Sequence, residues 1–170
     1  LLVVDPSLTD YQHVHPQPGK VKGEWTFAFT PHTSGTYRVF ADFTPAATAR
    51  GLYASADLEV AAAGSAAKEK AYAQPEGYRF ALETAQKPAK AGEPVDLRFT
   101  ISRNDGGAVP MELVMGAYAH LVAFDSARTG FAHLHPGESE TRVPDAKRPT
   151  LNFKLTIPRA GRYVVWAQVN

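Results

Sequence analysis

Residues 121–136 read LVAFDSARTGFAHLHP, and residues 1–16 read LLVVDPSLTDYQHVHP. The two stretches align without a gap at a constant offset of 120 residues, and the residues they share are Leu1, Asp5, Thr9, His13, His15 and Pro16 of the first copy. A second ungapped match, at an offset of 126 residues, pairs residues 25–43 with residues 151–169. Because a single insertion of six residues separates the two matches, the sequence predicts a tandem repeat of one module.

The repeated stretches have the pattern of β-strands. Apolar and polar residues alternate in Val95–Ile101, in Leu151–Ile157 and in the shorter Trp25–Phe29. Alternation with a period of two gives a strand one apolar and one polar face. The 13 glycines and 13 prolines supply frequent turn signals between such strands, which is typical of sandwiches. We therefore expect an all-β protein made of two related antiparallel β-sandwich modules, the first of them truncated.

The two copies lack different segments. Copy two has residues 77–119 before its repeated hairpin, and copy one continues through residues 44–60 after its last shared strand. The low-complexity stretch between the copies suits a linker. We expect a partial first module at residues 1–60, a linker at 61–76 and a second module at 77–170. We also expect the natural chain to be longer at both ends.

Composition argues against several classes of function. The 18 lysines and arginines against 17 aspartates and glutamates leave a formal charge of +1, whereas a nucleic-acid partner needs a basic stripe. Without cysteine the chain has no disulfide, thiol nucleophile or cysteine-ligated copper or zinc. Its longest apolar stretch, residues 113–124, is shorter than the roughly 20 residues that span a bilayer. We therefore expect no membrane span. Motifs for phosphate binding and hydrolysis are also missing, and so we do not expect an enzyme.

Three histidines of copy two are predicted to meet on one hairpin. If residues 126–129 form a four-residue loop, residues whose numbers add to 255 lie opposite each other, which pairs Val122 with His133 and His120 with His135. Opposite side chains share a face, with Cβ atoms about 4.5–5.5 Å apart. A shift of one residue would turn His120 to the other face. The register is therefore a direct test of the cluster.

Three neutral imidazoles on a rigid hairpin suit a copper or zinc ion. His120, His133 and His135 are the main candidate site, and His13 and His15 form a partial one in copy one. Such a site would weaken as the pH falls through about 6.5, where free imidazole takes up a proton. The alternative is that the histidines are structural and bond to backbone carbonyls. Two further residues have simpler interpretations: Met115 as a core residue rather than a thioether ligand, and His32 as a surface residue.

The motifs also carry a resemblance to a known family. His120 with LVAF, the FAHLHP stretch at 131–136 and GRYVVWAQV at 161–169 resemble bacterial secreted proteins of unknown function. Those proteins carry tandem Ig-like or cupredoxin-like modules with an HxHP signature and are sometimes described as heavy-metal-associated. The resemblance implies export to the periplasm or cell surface and a sandwich without catalytic activity.

These observations lead to two expectations for function. The first is an exported metal-binding protein that takes copper or zinc as its partner, in metal handling or sensing. The alternative is a structural or adhesive module of the cell envelope, in which the histidines only brace the hairpin. In either case exposed edge strands could pair with a second copy of the chain to form a homodimer.

Overall fold

A computed structural model describes residues 1–62, 75–85, 88–137 and 142–170. Within these ranges the protein is all-β, with antiparallel strand pairing and no helix, so none of the described residues forms a helix that could cross a membrane. The chain divides into two compact units, which we call unit 1 (Leu1–Ala73) and unit 2 (Gln74–Asn170). Most of the predicted linker, residues 63–74, lies outside the described residues, and its bounds stay a prediction.

Unit 2 is a sandwich of two antiparallel sheets. One sheet has the order β10-β9-β12 and the other the order β11-β8-β7. The strands are β7 (Tyr78–Thr84), β8 (Pro94–Arg103), β9 (His120–Asp125), β10 (Phe131–Leu134), β11 (Thr150–Thr156) and β12 (Tyr163–Gln168). The alternating patterns noted in the sequence become β8 and β11, and their apolar faces are buried, as such alternation requires.

The two sheets of unit 2 share one hydrophobic core. Most of its members lie on the inner faces of three strands, and the remaining three, Val109, Tyr118 and Ala119, come from the segment between β8 and β9. The strand residues are Val95, Leu97, Phe99 and Ile101 of β8, Leu121 and Ala123 of β9, and Leu151, Phe153 and Leu155 of β11. Because successive residues of a strand point to opposite faces, this packing leaves His120, Val122 and Phe124 together on the other face of β9. The core therefore decides which face of β9 carries the histidine.

Unit 1 contains a four-stranded sheet of order β2-β1-β5-β6 and a two-stranded ribbon of β3 with β4. The strands are β1 (Leu2–Val4), β2 (Tyr11–His13), β3 (Gln17–Pro18), β4 (Trp25–Thr26), β5 (Gly35–Phe43) and β6 (Leu52–Val60). Within the described residues, unit 1 has no counterpart of the β7–β8 pair. The expectation that the first module is a truncated copy of the second stays a prediction.

The same strand register occurs in both units. Leu2 pairs with His13 and with Phe40 in unit 1, and Val122 pairs with His133 and with Trp166 in unit 2. These pairs match at the offsets of 120 and 126 residues found in the sequence. The strand order β2-β1-β5 thus has the same form as β10-β9-β12, although duplication as the origin of the two units stays a prediction.

One predicted strand is shorter than expected. The alternation from Trp25 to Phe29 forms a strand only at Trp25–Thr26, and Trp25 is 62% exposed and Phe27 42% exposed. The equivalent strand of unit 2, β11, pairs with β8 over seven residues. In unit 1 the strand that pairs with this segment is the two-residue β3, and it reaches only Trp25 and Thr26.

Candidate metal centre

The β9–β10 hairpin has the register predicted from its sequence. Phe124 pairs with Phe131 and Val122 pairs with His133. Strand β10 ends at Leu134, so His135 lies one residue beyond the paired region. His120 is 2% exposed, His133 is half-buried and His135 is exposed. The hairpin therefore presents the three rings in a series from buried to exposed.

The three imidazole rings of this hairpin lie close together. The ring centroids of His120 and His135 are 4.6 Å apart, those of His133 and His135 are 5.0 Å apart, and those of His120 and His133 are 5.4 Å apart. The ring of His135 stands nearly perpendicular to the other two. The structure thus brings together the three residues that the sequence places in the main site. We call them the histidine cluster.

Hydrogen bonding fixes the state of the most buried ring. The Nε2 atom of His120 lies 2.7 Å from the carbonyl oxygen of Val114. Because a carbonyl oxygen can only accept, Nε2 must carry the proton. In neutral His120 the lone pair is then on Nδ1, which lies 3.1 Å from Nε2 of His133. One nitrogen of each ring is therefore directed at the other.

This geometry suits a shared ion as well as a direct hydrogen bond. Two nitrogens that ligate one zinc ion at about 2.0–2.1 Å with tetrahedral angles lie roughly 3.3 Å apart, close to the separation of His120 and His133. Metal-binding histidines generally donate their other ring N–H to a carbonyl or carboxylate, as His120 does to Val114.

Unit 1 carries a smaller version of the same arrangement. His13 pairs with Leu2 at the position equivalent to His133, and its ring centroid lies 5.3 Å from that of His15. The rings meet edge to face, His13 is half-buried and His15 is exposed. Unit 1 thus offers two imidazoles where unit 2 offers three.

Sequence reasoning missed a buried polar network at the other end of the unit 1 hairpin. Asp10 is fully buried and accepts hydrogen bonds from the Tyr37 hydroxyl, from the backbone N–H of His32 and from Gln12. Nδ1 of His32 lies 3.1 Å from the same carboxylate. His32 is therefore held by Asp10 and is not the simple surface residue expected. Asp10 and His32 align with Gly130 and Pro158 of unit 2, so the repeat itself gave no signal for the pair.

Asp5 is the second buried carboxylate of this network. It accepts from the backbone N–H groups of Ser7, Thr9 and Asp10 and from the hydroxyls of Ser7 and Thr33. Burial opposes ionisation of both aspartates, but the hydrogen bonds outweigh it, led by the Asp10 N–H for Asp5 and by the Tyr37 hydroxyl for Asp10. They hold the pKa of each carboxyl below its ordinary value. For Tyr37, burial of the hydroxyl and its donation to Asp10 both act to raise the pKa.

The two methionines have different surroundings. Met111 packs against the core of unit 2. Met115 instead lies exposed on a turn with a φ of 51°, so its interpretation as a core residue is wrong. Met115 lies in neither sheet of unit 2 and is not among the residues that form the core between them.

A protein-family model matches most of the chain. The family described as "Domain of unknown function (DUF8832)" matches residues 1–61 and 72–170. The chain belongs to this family. No curated protein and no solved structure shows significant similarity to this chain. Because the description of DUF8832 assigns no function, the function must be argued from the histidine cluster itself.

Proposed function

We propose that this DUF8832 protein is an exported metal-binding protein that holds one copper or zinc ion at the histidine cluster. The proposal rests mainly on one observation: Nε2 of His120 is tied to the Val114 carbonyl, and Nδ1 is left facing Nε2 of His133 at 3.1 Å. Imidazole nitrogen is a good ligand for both metals. Exposed His135 would complete a set of three and leave a further position for water or a partner's ligand.

The role we propose is metal handling or sensing rather than catalysis. The site combines one buried ligand with one exposed ligand, an arrangement that can retain an ion and still exchange it with solvent or another protein. His13 and His15 of unit 1 would form a weaker second site, since two imidazoles hold an ion less firmly than three. Location in the periplasm or at the cell surface is part of the proposal and is supported by the resemblance noted in the sequence.

The alternative is a structural or adhesive module in which the imidazoles only brace the hairpin. The same contacts favour it, because His120 can bond to Val114 through Nε2 and accept from His133 through Nδ1 with no ion present. The two functions differ in what happens to His133: a bracing ring keeps its bond to His120 when metal is added, whereas a ligand exchanges that bond for the ion.

Metal content and affinity separate these functions. The protein is purified without chelator or affinity tag, its metal is measured by mass spectrometry, and Zn(II) and Cu(II) are titrated by calorimetry. We expect one tight equivalent for the wild type and a loss of roughly 100-fold or more in affinity for the double variant His133→Ala, His135→Ala. His32→Gln serves as the control because glutamine can still donate to Asp10. Equal binding by all three proteins, or none by the wild type, would leave the structural module as the better account.

We also propose that two copies of the chain associate through β6. Among the described residues β6 ends the unit 1 sheet, and eight of its nine residues are exposed. An antiparallel pairing centred on Ala56 would place apolar residues opposite apolar ones and would keep Asp57 and Glu59 away from like charges. Sedimentation of the wild type and of Ala56→Pro tests this, with a dimer expected only for the wild type.

A further inference from the structure

A tight turn lies just before the histidine cluster. Val114 and Ala117 form an isolated antiparallel bridge, with Val114 N–H donating to Ala117 O at 2.8 Å and Ala117 N–H donating to Val114 O at 3.1 Å. The two central residues both have positive φ, 51° at Met115 and 88° at Gly116. This is the requirement of a two-residue turn of type I′. Its backbone geometry is therefore closely specified.

The turn is fixed to the body of unit 2 on both sides. Before it, the N–H of Val109 donates to Ala146 O at 2.7 Å and that of Glu112 donates to Asn170 O at 3.1 Å. After it, Ala117 and Ala119 are buried and lead directly into β9. The Val114 carbonyl is thus held in a set position relative to His120.

We infer that this turn, through the Val114 carbonyl, is the positioning element that selects Nδ1 of His120 as the metal-binding atom and thereby sets the affinity of the site. The inference rests on the proposed function. The carbonyl of Val114 accepts from both the Ala117 N–H and the His120 Nε2–H, so the closure of the turn and the tautomer of the ligand depend on the same atom. A turn that opened would release His120 to place its proton on either nitrogen.

Met115 belongs to this device as a turn residue and not as a thioether ligand. Only glycine, asparagine and aspartate adopt positive φ easily, so methionine at 51° is held there by the turn around it. Strained residues of this kind tend to occur next to functional sites. Asparagine followed by glycine is the preferred sequence of a type I′ turn. Met115→Asn should therefore keep the turn and remove the sulfur.

The test compares two glycines with the same backbone strain. Gly116 has a φ of 88° and Gly106 a φ of 72°, and a Cβ at either position would meet no atom within 4 Å. Gly116→Ala strains the turn beside the cluster, whereas Gly106→Ala strains the turn after β8 in the same unit. The measurements are Zn(II) affinity by calorimetry and the imidazole nitrogen resonances of metal-free protein by NMR at alkaline pH.

We expect both alanine variants to lower the melting temperature of unit 2 by similar amounts. Only Gly116→Ala should weaken Zn(II) binding, by roughly 10-fold, the lower end of what loss of an outer-shell partner costs. Only Gly116→Ala should also move His120 from a single Nε2–H tautomer to a mixture. Met115→Asn should bind Zn(II) and Cu(I) like the wild type.

The outcomes separate this inference from the proposed function. If the wild type binds Zn(II) at the cluster but Gly116→Ala binds as tightly as Gly106→Ala, with an unchanged tautomer, the inference is overturned and the proposed function stands. A selective loss of Cu(I) affinity in Met115→Asn would also overturn it, because it would make the sulfur a ligand. If the wild type takes up no metal, both are wrong.

Discussion

The hairpins β1–β2 and β9–β10 share a register but differ in which end carries the larger group of polar side chains. In unit 1 the loop end contains two buried aspartates, Asp5 and Asp10, held by backbone N–H groups and hydroxyls. In unit 2 the equivalent loop has only Asp125, which accepts from the N–H and the hydroxyl of Thr129. The open end of the unit 2 hairpin instead gathers three imidazoles. One backbone frame thus supports a stabilising network in one unit and a candidate ligand set in the other.

Removal of the matched aspartates should produce the largest effect. Asp5→Ala leaves the buried N–H of Asp10 and several partly buried donors of unit 1 without an acceptor, and we expect it to cost about 3 kcal/mol of unfolding free energy. Asp125→Ala in unit 2 loses bonds to one residue at a half-exposed loop, and we expect about 1 kcal/mol. Hydrogen exchange of β5 and β9 amides measures the two units separately. Equal costs would contradict the difference drawn between the loops.

Removal of one histidine from each unit should have the next largest effect. His120→Ala removes the most buried ligand of unit 2, and we expect roughly 100-fold weaker Zn(II) binding, which is about 2.7 kcal/mol. Removal of His15 by His15→Ala affects only the two-imidazole pair of unit 1 and should leave the tight equivalent in place. Calorimetry with each variant gives the two affinities. If tight binding survives in His120→Ala and is lost in His15→Ala, the main site lies in unit 1 and not in unit 2 as we propose.

Acid should act first on unit 1. The folded-state pKa values of Asp5 and Asp10 lie below the ordinary value near 3.8, so the folded state binds fewer protons than the unfolded state. The stabilisation is complete above that pH and is lost as the pH falls through the lower folded values. In unit 2 the lowered pKa of Asp105 comes first from its hydrogen bond to Arg103 at the surface, where solvent screens the contribution.

Amide exchange between pH 5 and about pH 2 checks this. Unit 1 should lose protection of β5 while β9 of unit 2 keeps its own, and Asp5→Asn should remove part of the pH dependence. Simultaneous loss in both units, with no change in Asp5→Asn, would show that the buried carboxylates do not control acid stability.

The equivalent tyrosines should give the smallest difference. The Tyr37 hydroxyl donates to buried Asp10, whereas the Tyr163 hydroxyl donates only to the backbone carbonyl of Arg159, four residues earlier, at 2.9 Å. We expect Tyr37→Phe to cost about 1.5 kcal/mol and Tyr163→Phe about 0.5 kcal/mol. Denaturant unfolding followed by NMR in each unit provides the values. A larger cost for Tyr163→Phe would contradict the view that the stabilising polar network lies in unit 1.

The sequence predicted what depends on local pattern and on the repeat. Period-two alternation located β8 and β11, and the loop of residues 126–129 set the register that pairs Val122 with His133. It could not predict contacts without a counterpart in the other copy. The Asp10–His32 pair bridges residues 22 apart, and the Val114–Ala117 turn uses methionine where turn statistics favour asparagine. Both depend on tertiary packing that overrides local preference.

The most direct test of the histidine cluster follows its imidazole nitrogens by NMR while Zn(II) is added to the full chain. We predict that the resonances of Nδ1 of His120, Nε2 of His133 and one nitrogen of His135 shift together and that the shifts saturate at one equivalent. Nε2 of His120 should keep its proton and its hydrogen bond to the Val114 carbonyl. Resonances of all three rings that stay unchanged past one equivalent would contradict the account and leave the cluster as a brace for the hairpin.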